Sequence, residues 1–165
     1  MGVIDEVVKG NEGYAQNHEL VHLSPIPSRR LAVLTCMDTR LSKKTLGLRT
    51  GEAHILRNAG GIVTDDVVRS LFISHHLLGA QEFMIINHTN CGLLGQSEED
   101  LRRLVLKRTR HDAGTPEHFF AFTDIDENVR QQIKKLRAQP WIPTDNAVRG
   151  FVYDVLSGQL REVLL

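Results

Sequence analysis

At 165 residues the chain is within the usual size of one domain, long enough to bury roughly two-thirds of its unfolded surface without cross-links. Lys plus Arg number 20 and Asp plus Glu number 20, so no net field draws the chain to nucleic acid or an anionic membrane. The opening MGVIDEVVKGNEGYAQ lacks the basic start and apolar core of a signal peptide, and no apolar run approaches the ~20 residues of a membrane span. The expectation is one cytoplasmic domain over residues 1–165, with an N-terminal arm over 1–28.

In chain order, Ile4 to His22 reads as a helical arm whose apolar content is too thin to pack alone. Leu31 to Cys36 (LAVLTC) is a short apolar run and reads as a buried strand; His54 to Arg57 is a weaker strand closed by the turn signal Asn58-Ala59-Gly60-Gly61. Thr64 caps an amphipathic helix with acids in its first turn and apolar residues at helical spacing as far as Leu78, before the Gly79 break. Glu82 to Asn87 is the next buried strand. Strand, helix and strand in this order form a βαβ unit, which predicts a parallel sheet with right-handed crossovers. Ser97 to Arg110 and Ile125 to Ala138 read as helices, acids first and bases last in the former, and His111 to Phe122 carries no clear pattern. Val148 to Val155 alternates as a strand, and Ser157-Gly158 turns the chain into Gln159 to Leu164 as a closing hairpin.

Cys36 ends the first strong strand and His88-Thr89-Asn90-Cys91 follows the later one, so three soft or borderline donors fall where strands leave the sheet. Sites in open α/β sheets are built at that carboxyl edge. Neighbouring strands lie about 5 Å apart, close enough for Cys36, His88 and Cys91 to converge on one Zn²⁺ per chain. Ordinary burial is the alternative, since free cysteine packs as a small apolar residue. Three ligands would leave a fourth position open, the mark of catalytic rather than structural zinc, and zinc lowers the pKa of a bound water to about 7. Asp38 and Arg40 follow Cys36 at i+2 and i+4. An Arg fork holding Asp38 would keep the carboxylate from filling that position and leave it to orient a nucleophile. Glycine in Asn58 to Gly61 lets backbone approach the centre, so Asn58, Ala59, Gly60 and Gly61 are candidates to line the substrate pocket. His75 and His76 read as packing or surface residues and Trp141 as a core or interface anchor. His18, His22, His54, His111 and His118 are each candidates to ferry protons, with nothing in the sequence to choose among them.

Cys36-Met37-Asp38-Thr39-Arg40, His54-Ile55-Leu56-Arg57-Asn58-Ala59-Gly60-Gly61 and His88-Thr89-Asn90-Cys91-Gly92 together resemble the β-class carbonic anhydrases. The likeness runs from Arg29 to Gly95 almost without gaps and resumes at Arg149-Gly150-Phe151-Val152-Tyr153-Asp154, and is greatest to the small-chain subgroup. It implies an α/β fold with a mainly parallel central sheet flanked by helices and an N-terminal helical arm. It also implies zinc on Cys36, His88 and Cys91, a catalytic dyad of Asp38 and Arg40, and Gly92 beside the pocket. A homodimer or homotetramer follows from the same resemblance, the arm wrapping a neighbour.

That subgroup is chemically mixed: relatives with the same ligands hydrolyse carbonyl sulfide or carbon disulfide. The expected activity is zinc-dependent hydration of carbon dioxide. Carbonyl sulfide hydrolysis is the alternative, and a silent zinc-binding assembly subunit is disfavoured by intact Asp38 and Arg40. Asn90, where many relatives have Asp, and Leu93-Leu94-Gly95-Gln96 are departures that bear on the pocket rim. In the closed form that some relatives adopt, Asp38 itself would be the fourth donor.

Overall fold

A computed structural model describes residues 2–112, 114 and 116–165. Five strands form one sheet in the order β2-β1-β3-β4-β5: β1 (Leu31–Cys36), β2 (Ala53–Asn58), β3 (Glu82–His88), β4 (Val148–Tyr153) and β5 (Leu160–Val163). All pairings are parallel except β4 with β5, which is the antiparallel closing hairpin. β1 therefore sits between β2 and β3, Cys36 opposite Asn58 on one side and Thr35 opposite Ile86 on the other. Near-continuous burial of β1 and β3 explains why both read as unbroken apolar runs rather than alternating ones.

The helices are α1 (Val3–Ala15), α2 (Asp65–His76), α3 (Glu98–Thr109) and α4 (Ile125–Arg137). Thr64 Oγ1 accepts from Val67 N at 3.4 Å to start α2, and Asp124 Oδ1 accepts from Glu127 N at 3.0 Å to start α4, as short oxygen side chains do at N-caps. Val67 and Leu71 of α2 and Val129, Ile133 and Leu136 of α4 bury against Ala32, Leu34, Phe83, Ile85 and Val148 on one sheet face. Each such side chain contributes about 1.5–3 kcal/mol by leaving water. Helix α4 can approach this closely because Gly150 lies beneath it; a Cβ there would stand 2.6 Å from Ile133 Cδ1 and closer still to Val129 Cγ1.

The expected elements differ from the observed ones mainly at their ends. The arm helix stops at Ala15 rather than His22, β3 runs on to include His88, and β4 stops at Tyr153 rather than Val155. Residues 113 and 115 of the patternless stretch lie outside the described residues; the rest of it has no helix or strand, only a bridge from Phe122 to Leu94. None of α1 is buried, with Val3, Ile4, Val7 and Val8 all more than half exposed. Among the described residues no helix is long and apolar enough to cross a membrane.

Candidate metal centre

Parallel pairing of β1 with β3 brings the last residue of each strand to the same edge, and the turn after β3 returns Cys91 beside them. The donor atoms of Cys36, His88 and Cys91 all lie within 4.8 Å of one another, and all three residues are buried. His88 Nδ1 is 2.9 Å from the Thr89 carbonyl oxygen, which can only accept, so the ring proton sits on Nδ1. Nε2 is then a bare lone pair, and it is buried without a hydrogen-bond partner. An unpartnered buried acceptor costs about 1–3 kcal/mol unless something fills the gap. Pointed at two sulfurs, it suits a borderline transition-metal ion.

The two sulfurs are pushed in opposite directions. A hydrogen bond from the Cys91 thiol is the largest influence lowering the pKa of Cys36; burial opposes it, and the amides of Asp38 and Gly60 add to it. Cys91, as the donor to Cys36, is pushed up, with burial acting in the same sense and the amides of Leu93 and Leu94 against it. The pair is thus biased toward a thiolate on Cys36, the form a metal ion binds, and binding an ion would displace thiol protons. Around the sulfurs pack Ile62 and Phe122, with Leu93, Leu94 and Ile125 behind them, an apolar shell that keeps water off the donors.

Asp38 stands at the rim. Its Oδ1 accepts from the Arg40 backbone N–H and from Arg40 Nε, both at 2.9 Å, and its Oδ2 accepts from Arg40 Nη2 at 2.7 Å. This bidentate grip, first the guanidinium and then the backbone bond, holds the Asp38 carboxyl well below the usual carboxylate range. Oδ2 remains 3.9 Å from His88 Nε2. Arg40 Nη2 also donates to the Asn90 carbonyl at 3.1 Å, tying the dyad to the His88–Cys91 turn. Asn90 itself has φ 58°, a left-handed conformation that asparagine tolerates.

The turn after β2 meets Cys36 from the other side: Gly60 N–H donates to Cys36 Sγ at 3.4 Å. Gly61, with φ +65°, packs so tightly that a Cβ would lie 2.9 Å from the Ile86 carbonyl oxygen. Gly60 and Gly61 are buried and Asn58 is partly so, while Ala59 and Gly92 are exposed. None of these five lines the cavity of about 270 Å³ on the opposite sheet face, whose walls include Thr35, Leu41, Ile55, Arg57, Ile86 and Tyr153. Of the candidate proton carriers, His54 has both ring nitrogens engaged, with Ser74 Oγ and the Pro25 carbonyl, and His18, His22, His111 and His118 are exposed. His75 bonds the Ala80 carbonyl and contacts Trp141, in keeping with a packing role.

Arg57 belongs to the site without having stood out as a candidate. Its Nε donates to the Cys36 carbonyl at 3.1 Å and its Nη2 to the Asp38 carbonyl at 2.6 Å, fixing the loop that carries both residues. Its place directly before Asn58-Ala59-Gly60-Gly61, at the end of a strand beside β1, was the available signal.

A parallel α/β sheet with two cysteines and a histidine converging at its carboxyl edge, and a clamped aspartate at the rim, defines a class of metal-dependent enzymes. The family profile described as carbonic anhydrase matches residues 31–160, and the chain belongs to the β-carbonic anhydrase family. It is 39% identical to β-carbonic anhydrase 1 of Mycobacterium tuberculosis H37Rv over 99% of both chains. It is 33% identical to the carbon disulfide hydrolase of Acidianus sp. A1-3, over 96% of this chain and 88% of that one. The crystal structure of carbonic anhydrase from Streptococcus mutans superposes with a TM-score of 0.92 at 44% identity, covering 99% of each chain.

Proposed function

We propose that the chain is a zinc enzyme that hydrates carbon dioxide to bicarbonate, with Cys36, His88 and Cys91 holding one zinc ion. The observation that carries this reading is the bare, buried Nε2 of His88 aimed at two sulfurs, with a clamped Asp38 carboxylate 3.9 Å away. Zinc held there would supply a nucleophile near neutral pH by acidifying water. Asp38, with Oδ2 3.9 Å from His88 Nε2, would accept a hydrogen bond from that nucleophile and so orient it toward the substrate carbon. Arg40 grips both Asp38 oxygens and keeps the carboxylate from closing on the donors, and Arg57 holds the backbone between Cys36 and Asp38 in place. Ile62, Leu93 and Phe122 keep bulk water from the sulfurs, while Asn58, Ala59, Gly60, Gly61 and Gly92 would form the backbone wall that a small linear substrate meets beside the centre.

Carbonyl sulfide or carbon disulfide, linear molecules attacked at the same carbon, are the second reading. The apolar shell of Ile62, Leu93 and Phe122 and the 33% identity to a carbon disulfide hydrolase favour it. Similarity over nearly the full length to a carbonic anhydrase favours the first. A silent assembly subunit would have no use for the Asp38–Arg40 grip. Stopped-flow carbon dioxide hydration and sulfide release from carbonyl sulfide and carbon disulfide, run side by side on zinc-loaded protein, separate the readings. Fast hydration with little sulfide is expected; efficient sulfide release with weak hydration would move the assignment to the hydrolase, and neither activity would remove both.

The exposed apolar residues of α1 fit burial against a second copy, so the working unit is a homodimer or homotetramer of single-domain chains, acting in the cytoplasm. Light scattering on the same preparation should give at least twice the chain mass, and a monomer would remove the assembly.

A further inference from the structure

Four buried links run from the 60–63 turn through helix α4 and back to that turn, beside the Cys36 sulfur. Val63 N–H donates to Gln132 Oε1 at 2.9 Å, Gln132 Nε2 to Asn128 Oδ1 at 3.0 Å, and Asn128 Nδ2 to Asn87 Oδ1 at 2.7 Å. Asn87 Nδ2 then donates to the Gly60 carbonyl at 2.8 Å and reaches that of Gly61 at 3.4 Å. Every amide donates in the same sense, so the chain of bonds leaves the 60–63 turn at Val63 and returns to it at Gly60. Aligned dipoles of this kind reinforce one another in a low-dielectric interior. Asn87, Asn128 and Gln132 are each less than a tenth exposed, so a broken link leaves a largely buried polar atom short of a partner.

The circuit ends where the centre begins. The Gly60 carbonyl that it holds is one Cα away from the Gly60 N–H, on the preceding peptide, that meets Cys36 Sγ at 3.4 Å. We propose that Asn128, acting through Asn87, is a positioning residue for the metal-binding sulfur of Cys36: it sets the Gly60 N–H on that sulfur and so tunes how strongly the thiolate donates to the ion. This rests on the zinc reading of Cys36, His88 and Cys91. A hydrogen bond to a thiolate favours its charged form and draws density from it, and outer-shell partners of this type typically control metal affinity by 10–100-fold. Asn128 stands on a different element from every donor, 37 residues beyond Cys91, and touches none of them. A cavity of about 210 Å³ walled by Phe122, Thr123, Asp124, Glu127 and Asn128 itself lies alongside, giving an altered side chain room to settle.

Asn128→Asp keeps the size and the acceptor facing Gln132 but replaces the donor to Asn87 with a second oxygen. Two measurements read its effect: the chelator concentration that extracts half the zinc, and the thiolate-to-metal charge-transfer band of the cobalt(II)-substituted protein. The expected result is a folded variant that gives up zinc at about 10–100-fold lower chelator and shows a displaced band. A variant with a lower Tm but an unmoved band and chelator midpoint would make Asn128 merely structural and overturn the proposal. If Asn128→Asp does not fold, Gln132→Glu breaks the circuit one link further from the sulfur; a displaced band there supports the proposal and an unmoved one overturns it. A parent protein whose cobalt form shows no thiolate band would instead fail the zinc reading itself.

Discussion

Arg40→Ala should retain close to one zinc per chain and lose carbon dioxide hydration by about 100-fold or more, the usual cost of misplacing one group that must be aligned in the transition state. The variant keeps the backbone N–H bond to Asp38 Oδ1 but loses both guanidinium contacts, at 2.9 and 2.7 Å. Oδ2, 3.9 Å from His88 Nε2, is then free to swing toward the donors and occupy the position the reaction needs. Arg40→Lys keeps the charge without the fork and should recover only part of the rate. Zinc analysis and stopped-flow turnover on the same samples check this; full turnover in Arg40→Ala would remove the clamp. The pair also carries a pH signature. Because Asp38's folded pKa is depressed below its ordinary 3.8, the stability the pair adds is fully present above that value and is lost as the pH falls through and below it.

Cys91→Ser should strip the centre. Cys91 is 8% exposed and its sulfur is one of three convergent donors; serine offers a harder oxygen that stays protonated at neutral pH. Zinc affinity should fall by more than the ~10–100-fold typical of outer-shell changes, leaving the purified protein well below one zinc per chain. Because bound metal stabilises the folded state by mass action, the variant's Tm should also stop responding to added zinc. Metal analysis by atomic absorption and a melting series with and without zinc provide the check. Unchanged stoichiometry would undo the ligand set.

The convergence of Cys36, His88 and Cys91 and the pairing of Asp38 with Arg40 were legible because they sit in two short stretches, 36–40 and 88–91, each pinned to the end of an apolar strand. Once β1 and β3 are taken as neighbours, their convergence follows from strand spacing alone. The strand ends were less legible: His88 continues β3 because its backbone still pairs with Tyr153 of β4, a long-range contact that no local pattern encodes. Arg57 and the Asn87–Asn128–Gln132 chain were not legible as parts of the site. Their roles depend on backbone carbonyls and on amides brought together from separate elements, and polar residues in a helix such as α4 ordinarily read as its solvent face. Only burial, with Asn128 at 6% and Gln132 at 7%, sets them apart.

The placement of the three donors bears on how the chain holds itself together. Cys36 leaves β1 and Cys91 follows β3, so everything between them, β2 and α2 included, forms a loop whose two ends meet at the centre. An ion shared by those ends is a detachable cross-link. It removes loop-closure entropy from the unfolded chain much as a disulfide would, to an extent that grows slowly with loop length. Joined by an ion rather than by oxidation, the same pair of sulfurs would then serve both the proposed chemistry and tethering.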